Sequence, residues 1–458
     1  MTKKKKKGTN KKKEKHLIGR KEFLFNFFSL VFIICIGIYF GYRGLYYYSK
    51  QNQKTQEESD TLNGVVIQNS PLVQGEADGL HRDSYGYFFK GNVQNNYVLF
   101  ENKIFRIMRI NSDNTVKVVS DGLVAVFPWG EKSDYESSNI YQWLQKTELE
   151  YSGVYYNSFS DIEDYLIKTS YEEPIFKDKK VQSSNKKYKD YITTLTISDY
   201  VLANGKKSYL NIGKAFFLLG FNQDKENFFV DEDGTLENCD SLDGYGIRSV
   251  LTMKANLKIQ GGNGTIESPY VIQEKTKTFV DSYIKLGDDF WRVSSDEGES
   301  LKLYLNGYIM SNSVEVVRNY STTNSIFDPK DKKSLAYYLN TTYLANLSYS
   351  NLLLEFRAFT GEISDDAGYN YANIYKESVP VKVSLLNIFD YVSNNDIFDY
   401  FYENTTSQVG SMQYNIQANG ILEESDVREE KHIVPVVSIS KSSIKGGQGT
   451  LNDPYVVG

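Results

Sequence analysis

The chain of 458 residues has two cysteines and three histidines, and each scarcity removes a class of chemistry. Cys35 falls in an apolar tract and Cys239 in the polar stretch "ENCDSLDG", so they are not placed to pair and the chain does not rely on disulfides. Cys239 reads as an inert thiol or, alternatively, as half of an intermolecular pair. His16, His81 and His432 lack metal-ligand spacing and none neighbours a cysteine, which argues against a zinc site. "DEDGTLE" (Asp231 to Glu237) lacks the third acidic ligand and the distant glutamate of a calcium loop, and reads as an Asp-Gly turn. "SYIK" (Ser282 to Lys285) and "SSIK" (Ser442 to Lys445) fit Ser-x-x-Lys, but both read as strands and no Lys-Thr-Gly accompanies them. Carboxylates are abundant, yet nothing singles out a pair at glycosidase spacing. No catalytic residue, metal or cofactor is therefore expected.

Positive charge is missing from most of the chain. The formal net charge of −6 divides into +9 over residues 1–23 and −15 over the rest, so the body lacks the basic surface that nucleic-acid binding needs. Charge of either sign is absent from "FLFNFFSLVFIICIGIYFGY", Phe23 to Tyr42. Twenty uncharged residues at the helical rise predict a transmembrane helix, with Tyr39 and Tyr42 at an interface. The lysine run before it predicts a cytoplasmic N-terminus and contact with anionic lipid over Lys3–Lys15. No small-x-small cleavage site follows, and Ile34 before Cys35 breaks a lipobox, so an uncleaved anchor is expected. With no sorting motif at "NDPYVVG", that helix is the expected tether of a single-pass cell-membrane protein whose bulk is extracellular.

What the chain has in plenty is aromatic: 37 Tyr and 26 Phe. AT-rich codon bias raises Tyr with Asn, Lys and Ile, whereas ligand-facing surfaces also use Tyr; composition leaves both readings open.

The chain also repeats itself. "IQGGNGTIESPYV" (Ile259 to Val271) returns as "IKGGQGTLNDPYV" (Ile444 to Val456). "YVLFENKIFRI" (Tyr97 to Ile107) pairs with "YIKLGDDFWRV" (Tyr283 to Val293), "VKVVSDG" with "LKLYLNG", "LTISDYV" with "LNIFDYV", and "SVLTMK" (Ser249 to Lys254) with "PVVSIS" (Pro435 to Ser440), all in order. The order predicts a tandem duplication: a polybasic tail at 1–22, a transmembrane helix at 23–42, a polar stalk at 43–77, and repeats at 78–273 and 280–458. Gly-Gly-x-Gly supplies positive φ, and the proline and β-branched residues after it favour a closing β-hairpin over a phosphate loop, which would need a helix there. Alternating apolar residues predict hairpin strands at the start of each unit. "SNIYQWLQKTEL" and "DKKSLAYYLNTTYLANL" space theirs by three and four and predict helices, with Asp331 placed to cap the second. The expected class is α+β: hairpin, helix, irregular middle, closing hairpin.

"YFFKGNVQNNYVLFENKIFRIMRI" (Tyr87 to Ile110) and "GIRSVLTMKANLKIQGGNGTIESPYV" (Gly246 to Val271) resemble the opening and closing phrases of a domain of unknown function recurrent in surface proteins of Gram-positive bacteria. The second unit keeps "FWRV" and "GGQGTLNDPYVV" but lacks the opening phrase and the Gly-x-Arg. The resemblance implies a C-type-lectin-like fold. The Gln-Pro-Asp and Trp-Asn-Asp triplets of calcium-dependent lectins are absent, so no calcium-held sugar is expected.

Two loops carry the candidate binding residues: "FPWGEKSDYES" (Phe127 to Ser137), with Trp129 and Tyr135, and "EISDDAGYNYANIY" (Glu362 to Tyr375), with Asp365, Asp366, Tyr369 and Tyr371. Aromatic rings beside carboxylates suit sugar stacking and hydroxyl recognition; the other reading packs the rings inward. The expectation is a non-catalytic protein with two tandem binding domains for an envelope glycan or protein. An envelope enzyme, or a structural partner in an envelope assembly, are the alternatives.

Overall fold

β-Branched and aromatic residues crowd the segments between Gly79 and Ser120, and such residues favour a pleated, packed surface. In the computed structural model these segments become β1 (Gly79–Asp83), β2 (Gly86–Lys90), β3 (Tyr97–Phe100), β4 (Lys103–Asn111) and β5 (Val116–Ser120). The structure describes residues 60–130, 134–149, 152–177, 180–274, 278–323, 327–360, 377–387, 390, 404–405, 412–416 and 422–458. The chain crosses to a second sheet with β6 (Ala125–Pro128), β7 (Thr169–Lys177) and β8 (Lys180–Asp190), and returns with β9 (Ile192–Thr194). A second excursion runs through β10 (Phe216–Phe221), β11 (Asn227–Val230), β12 (Leu236–Cys239) and β13 (Gly244–Ile247). β14 (Ser249–Met253), β15 (Ile259–Gly261) and β16 (Tyr270–Ile272) close the first unit.

The first sheet has the order β15-β16-β3-β4-β5-β14-β9. In the second unit β17 (Tyr283–Leu286), β18 (Asp289–Asp296), β19 (Ser300–Leu305), β20 (Leu353–Leu354), β21 (Val383–Leu385), β22 (Pro435–Ser440), β23 (Ile444–Gly446) and β24 (Tyr455–Val457) repeat that order as β23-β24-β17-β18-β19-β22, with β21 and β20 both on β22. The registers agree residue by residue. Tyr270 faces Val98 in parallel as Tyr455 faces Ile284, and Arg106 faces Val119 as Arg292 faces Tyr304. A register shift falls between Ile107 and Arg109 in β4, and between Val293 and Ser295 in β18.

The repeated glycine motif is the lock of this sheet. Gly264 O accepts from Tyr97 N, and Gly449 O accepts from Tyr283 N, both at 2.8 Å. Gly262 and Gly447 hold φ of +101° and +94°, where a Cβ would sit 1.9 and 2.1 Å from Pro269 O and Pro454 O. No other side chain fits that space.

Among the described residues helices are few and short. α1 (Leu62–Asn69) buries Leu62 and Val66 against the first unit, so residues 61–69, read in the sequence as stalk, pack there. α2 (Asn139–Leu144) is capped by Ser138, whose Oγ accepts from Tyr141 N at 3.0 Å. α3 (Ile197–Leu202) has Thr196 and Asp199 as a capping box. α4 (Leu335–Tyr338) runs on through Leu339–Tyr343 and Leu344–Asn346. Its N-cap is Ser334 and not Asp331, Ser334 Oγ accepting from Ala336 N.

Two expectations are corrected. Strand outweighs helix by 43% to 15%, so the architecture is mainly β and not α+β. The middle of the first unit, read as irregular, forms β7 to β12, and the helical spacing around Trp143 yields only six residues of helix. Among the described residues no helix is long and apolar enough to cross a membrane, which goes against the single-pass anchored arrangement; a span takes about 20 residues. Phe23 to Tyr42, and the lysine run before it, lie outside the described residues.

Both units belong to one body, Thr61–Gly458. Tyr304, Leu386, Val434 and Val436 of the second unit are fully buried within the hydrophobic cluster of the first. In the first unit the equivalent sheet face, bearing Val119, Val250 and Arg248, meets Phe216 and Leu210 of its own second excursion. The first unit thus covers on the second what its own extra sheet covers on itself.

Candidate functional site

A charged residue inside an apolar strand has to be explained by its partners, because an unpaired buried charge costs several kcal/mol or more. β4 and β18 carry an arginine at the same register, Arg106, which is buried, and Arg292, which is half-buried. Each guanidinium lies over a tyrosine of the preceding strand, Arg106 at 3.8 Å from the Tyr97 ring and Arg292 at 4.7 Å from that of Tyr283. Arg292 Nη1 donates to Tyr283 Oη at 3.1 Å and Nη2 to Asp281 O at 3.3 Å, with the Asp281 carboxylate 4.0 Å away.

Arg292 opens onto a cleft of about 550 Å³ whose two walls come from different units. The first unit contributes Asn102 and Lys103 from the β3–β4 turn, the Ser120–Leu123 segment after β5, and Trp143 with Tyr155 as an aromatic floor. The second contributes Asp281, Arg292, Ser294, Ser295 and Asp390. Asn102 Nδ2 donates across the seam to Val280 O at 3.1 Å. Lys103 Nζ donates to Ser158 O at 3.2 Å, and Asp390 pairs with Lys302. Tyr155 Oη lies 2.8 Å from Ser249 Oγ, and burial raises its pKa. Asn157 lines a groove of about 920 Å³ along the same seam, bounded by Lys146, Glu148, Asp296 and Arg357.

Behind the turn sits Glu101, 1% exposed. Its Oε2 accepts from Ser160 N at 2.7 Å, and its own N donates to Glu274 Oε1 at 2.6 Å. Burial pushes its carboxyl up to about 7 against the pull of Ser160 N and Lys103, while Glu274 and Asp161 add to the rise. Burial also raises the pKa of Glu274.

The residues singled out in the sequence lie elsewhere. Trp129 and Tyr135 are fully buried, 5.8 Å apart, with Trp129 edge-on to Phe217 and Tyr135 edge-on to Tyr141 and Tyr188. Neither faces the cleft or any open surface. Asp365, Asp366, Tyr369 and Tyr371 lie outside the described residues. The cleft residues were not singled out, although one signal was present: an arginine recurring within "KIFRI" and "DFWRV", where apolar residues were otherwise kept. Set against protein-family models, curated proteins and solved structures, the chain matches none.

Proposed function

We propose that this chain is a non-catalytic binding protein, and that the cleft between its two units holds a polar ligand of the kind a cell envelope supplies, glycan or peptide. The observation that carries this is the mixed lining of the inter-unit cleft. Lys103, Arg292 and Asn102 donate there, Asp121, Asp281 and Asp390 accept, and the half-buried Leu123, Val124 and Val154 give it an apolar side. A polyhydroxylated or amide-rich ligand needs donors and acceptors together, over an apolar face. A volume of about 550 Å³ suits two or three sugar or amino-acid residues. The resemblance of the first unit, and of part of the second, to a domain of bacterial surface proteins supports the envelope as the source.

Trp143 lines the cleft, so its fluorescence reports occupancy. Titration of the full chain with soluble wall glycan and wall peptide fragments should give a saturable change. Arg292→Ala should weaken it about tenfold or more, since a charge-assisted hydrogen bond contributes roughly 1.5–3 kcal/mol and 1.4 kcal/mol is tenfold. Ser295→Trp, which fills the cleft, should abolish it. The proposal fails if no fragment binds at millimolar concentration, or if both variants bind as the parent does.

A further inference from the structure

The first unit has a pocket of its own, and we infer that it binds a small anion, a phosphate or a carboxylate group, over Arg106. The cavity is about 370 Å³ and lies on the far side of the Asp121–Leu123 segment from the inter-unit cleft. Arg106 is 4% exposed and forms part of its wall, with Tyr97 and Tyr209 rings 3.8 and 5.0 Å from its guanidinium carbon. Its Nε donates to Asn96 Oδ1 at 2.7 Å, Nη2 to Val93 O at 2.6 Å, and Nη1 to Asp121 Oδ1 at 3.3 Å. Three of its five N–H groups are used in this way, which leaves one on each terminal nitrogen.

The charge around this pocket does not balance. Behind Arg106 lies Arg248, fully buried, and carbonyls alone hold it directly. Its Nε and Nη2 donate to Ser120 O at 3.0 and 2.6 Å, Nη1 to Leu210 O at 2.7 Å, and Nη2 also to Asp121 O at 3.3 Å. Burial lowers its pKa to about 10, so it stays charged at neutral pH. Lys214 stands exposed at the rim. Two guanidinium groups and an ammonium therefore gather round Asp121, the one carboxylate among the residues that line the pocket. Asp199 is already held by Lys117 at 2.7 Å, and neither it nor Glu267 lines the pocket. An anion at the Arg106 edge would restore the balance, and a planar fork matches the oxygen pairs of carboxylate and phosphate.

The duplication supplies an internal comparison. The second unit keeps Arg292 at the place of Arg106, but Val434 stands where Arg248 would be, since Val436 faces Tyr304 as Val250 faces Val119. The surplus positive charge is thus a feature of the first unit alone. It does not follow from the fold.

The test is calorimetric titration of the full chain with inorganic phosphate and, separately, with glucuronate at low ionic strength. Saturable binding of at least one is expected, and which one binds distinguishes a phosphate from a carboxylate ligand. Lys214→Glu and Gln94→Glu change exposed rim side chains, so both should keep the parental melting temperature while weakening binding at least tenfold. Arg292→Ala, in the other cleft, should leave anion binding unchanged. Failure of both anions to saturate would overturn the inference. So would affinity that survives both rim charges, or a loss as large in Arg292→Ala.

Discussion

Glu101 shows how one side chain can differ between copies of a fold for a reason outside the fold. Its counterpart in β17–β18 is Gly287, and both hold a left-handed backbone, φ +47° and +59°. Glycine occupies that conformation freely, whereas a side chain costs about 1 kcal/mol. The first unit accepts that strain and buries a carboxyl beside the segment that leads to the second unit. The pH consequence has a definite sign. The folded carboxyl titrates near 7 against an ordinary 4.5, so the folded chain holds the proton more tightly. Its contribution is fully present below pH 4.5 and is lost as pH rises toward 7, by on the order of 3 kcal/mol. Urea denaturation between pH 4.5 and 8 should show parental stability falling across that window. Glu101→Gln should flatten the curve and be the more stable protein above pH 7; an unchanged slope would refute the assignment. Nothing in "FENK" announces this, because burial is a property of what packs against the turn.

Single elements divide into those set by local geometry and those set by a distant partner. The glycine motif is of the first kind. Gly262→Ala and Gly447→Ala should each cost at least ~2 kcal/mol, from positive φ plus a clash with a carbonyl that cannot move aside. Gly261→Ala and Gly446→Ala, one residue earlier, meet nothing within 4 Å and should be near neutral by thermal melting. The turn was legible as a repeated Gly-Gly-x-Gly, since a left-handed backbone leaves its mark in the residue type, but which of the two leading glycines carries it was not. The β7–β8 hairpin is of the second kind. "VQSSNKKYKD" is polar with little alternation, and it is a strand because it lies along Thr169–Lys177 from Thr169↔Asp190 to Lys177↔Lys180. α2 was legible as a helix but not in its length, which ends where Gln145 turns its amide to Ile192 O of β9. In the second unit Asn340 does the same for β21, donating to Val383 O at 2.8 Å.

At the scale of the whole molecule, the units are joined by a shared core. Tyr304, Leu386, Val434 and Val436 would face water if the units separated. Burying such side chains stabilises by roughly 1.5–3 kcal/mol each, enough to couple the two halves. Calorimetry of Thr61–Gly458 should therefore show one cooperative transition. Val434→Asp, which places a charge in that core, should lower the melting temperature and split the transition in two; two transitions in the parent would contradict the coupling. The inter-unit cleft exists only because of this packing, and for that reason its residues could not be gathered from the sequence. Lys103 and Arg292 lie 189 positions apart and meet only through the interface.

Read alone, the sequence determined the duplication, because the chain spells the same phrases twice, and the strands around Arg106 and Arg292 and the glycine turns, because these depend on neighbours within a few residues. Tertiary structure decided the rest. It turned Trp129 and Tyr135 inward, made strands of a polar middle, and set Arg248 among carbonyls while its counterpart Val434 joined an apolar interface. Side-chain chemistry is written in the chain. Which side chains lose their water, and beside whom, is settled only when two surfaces close on each other.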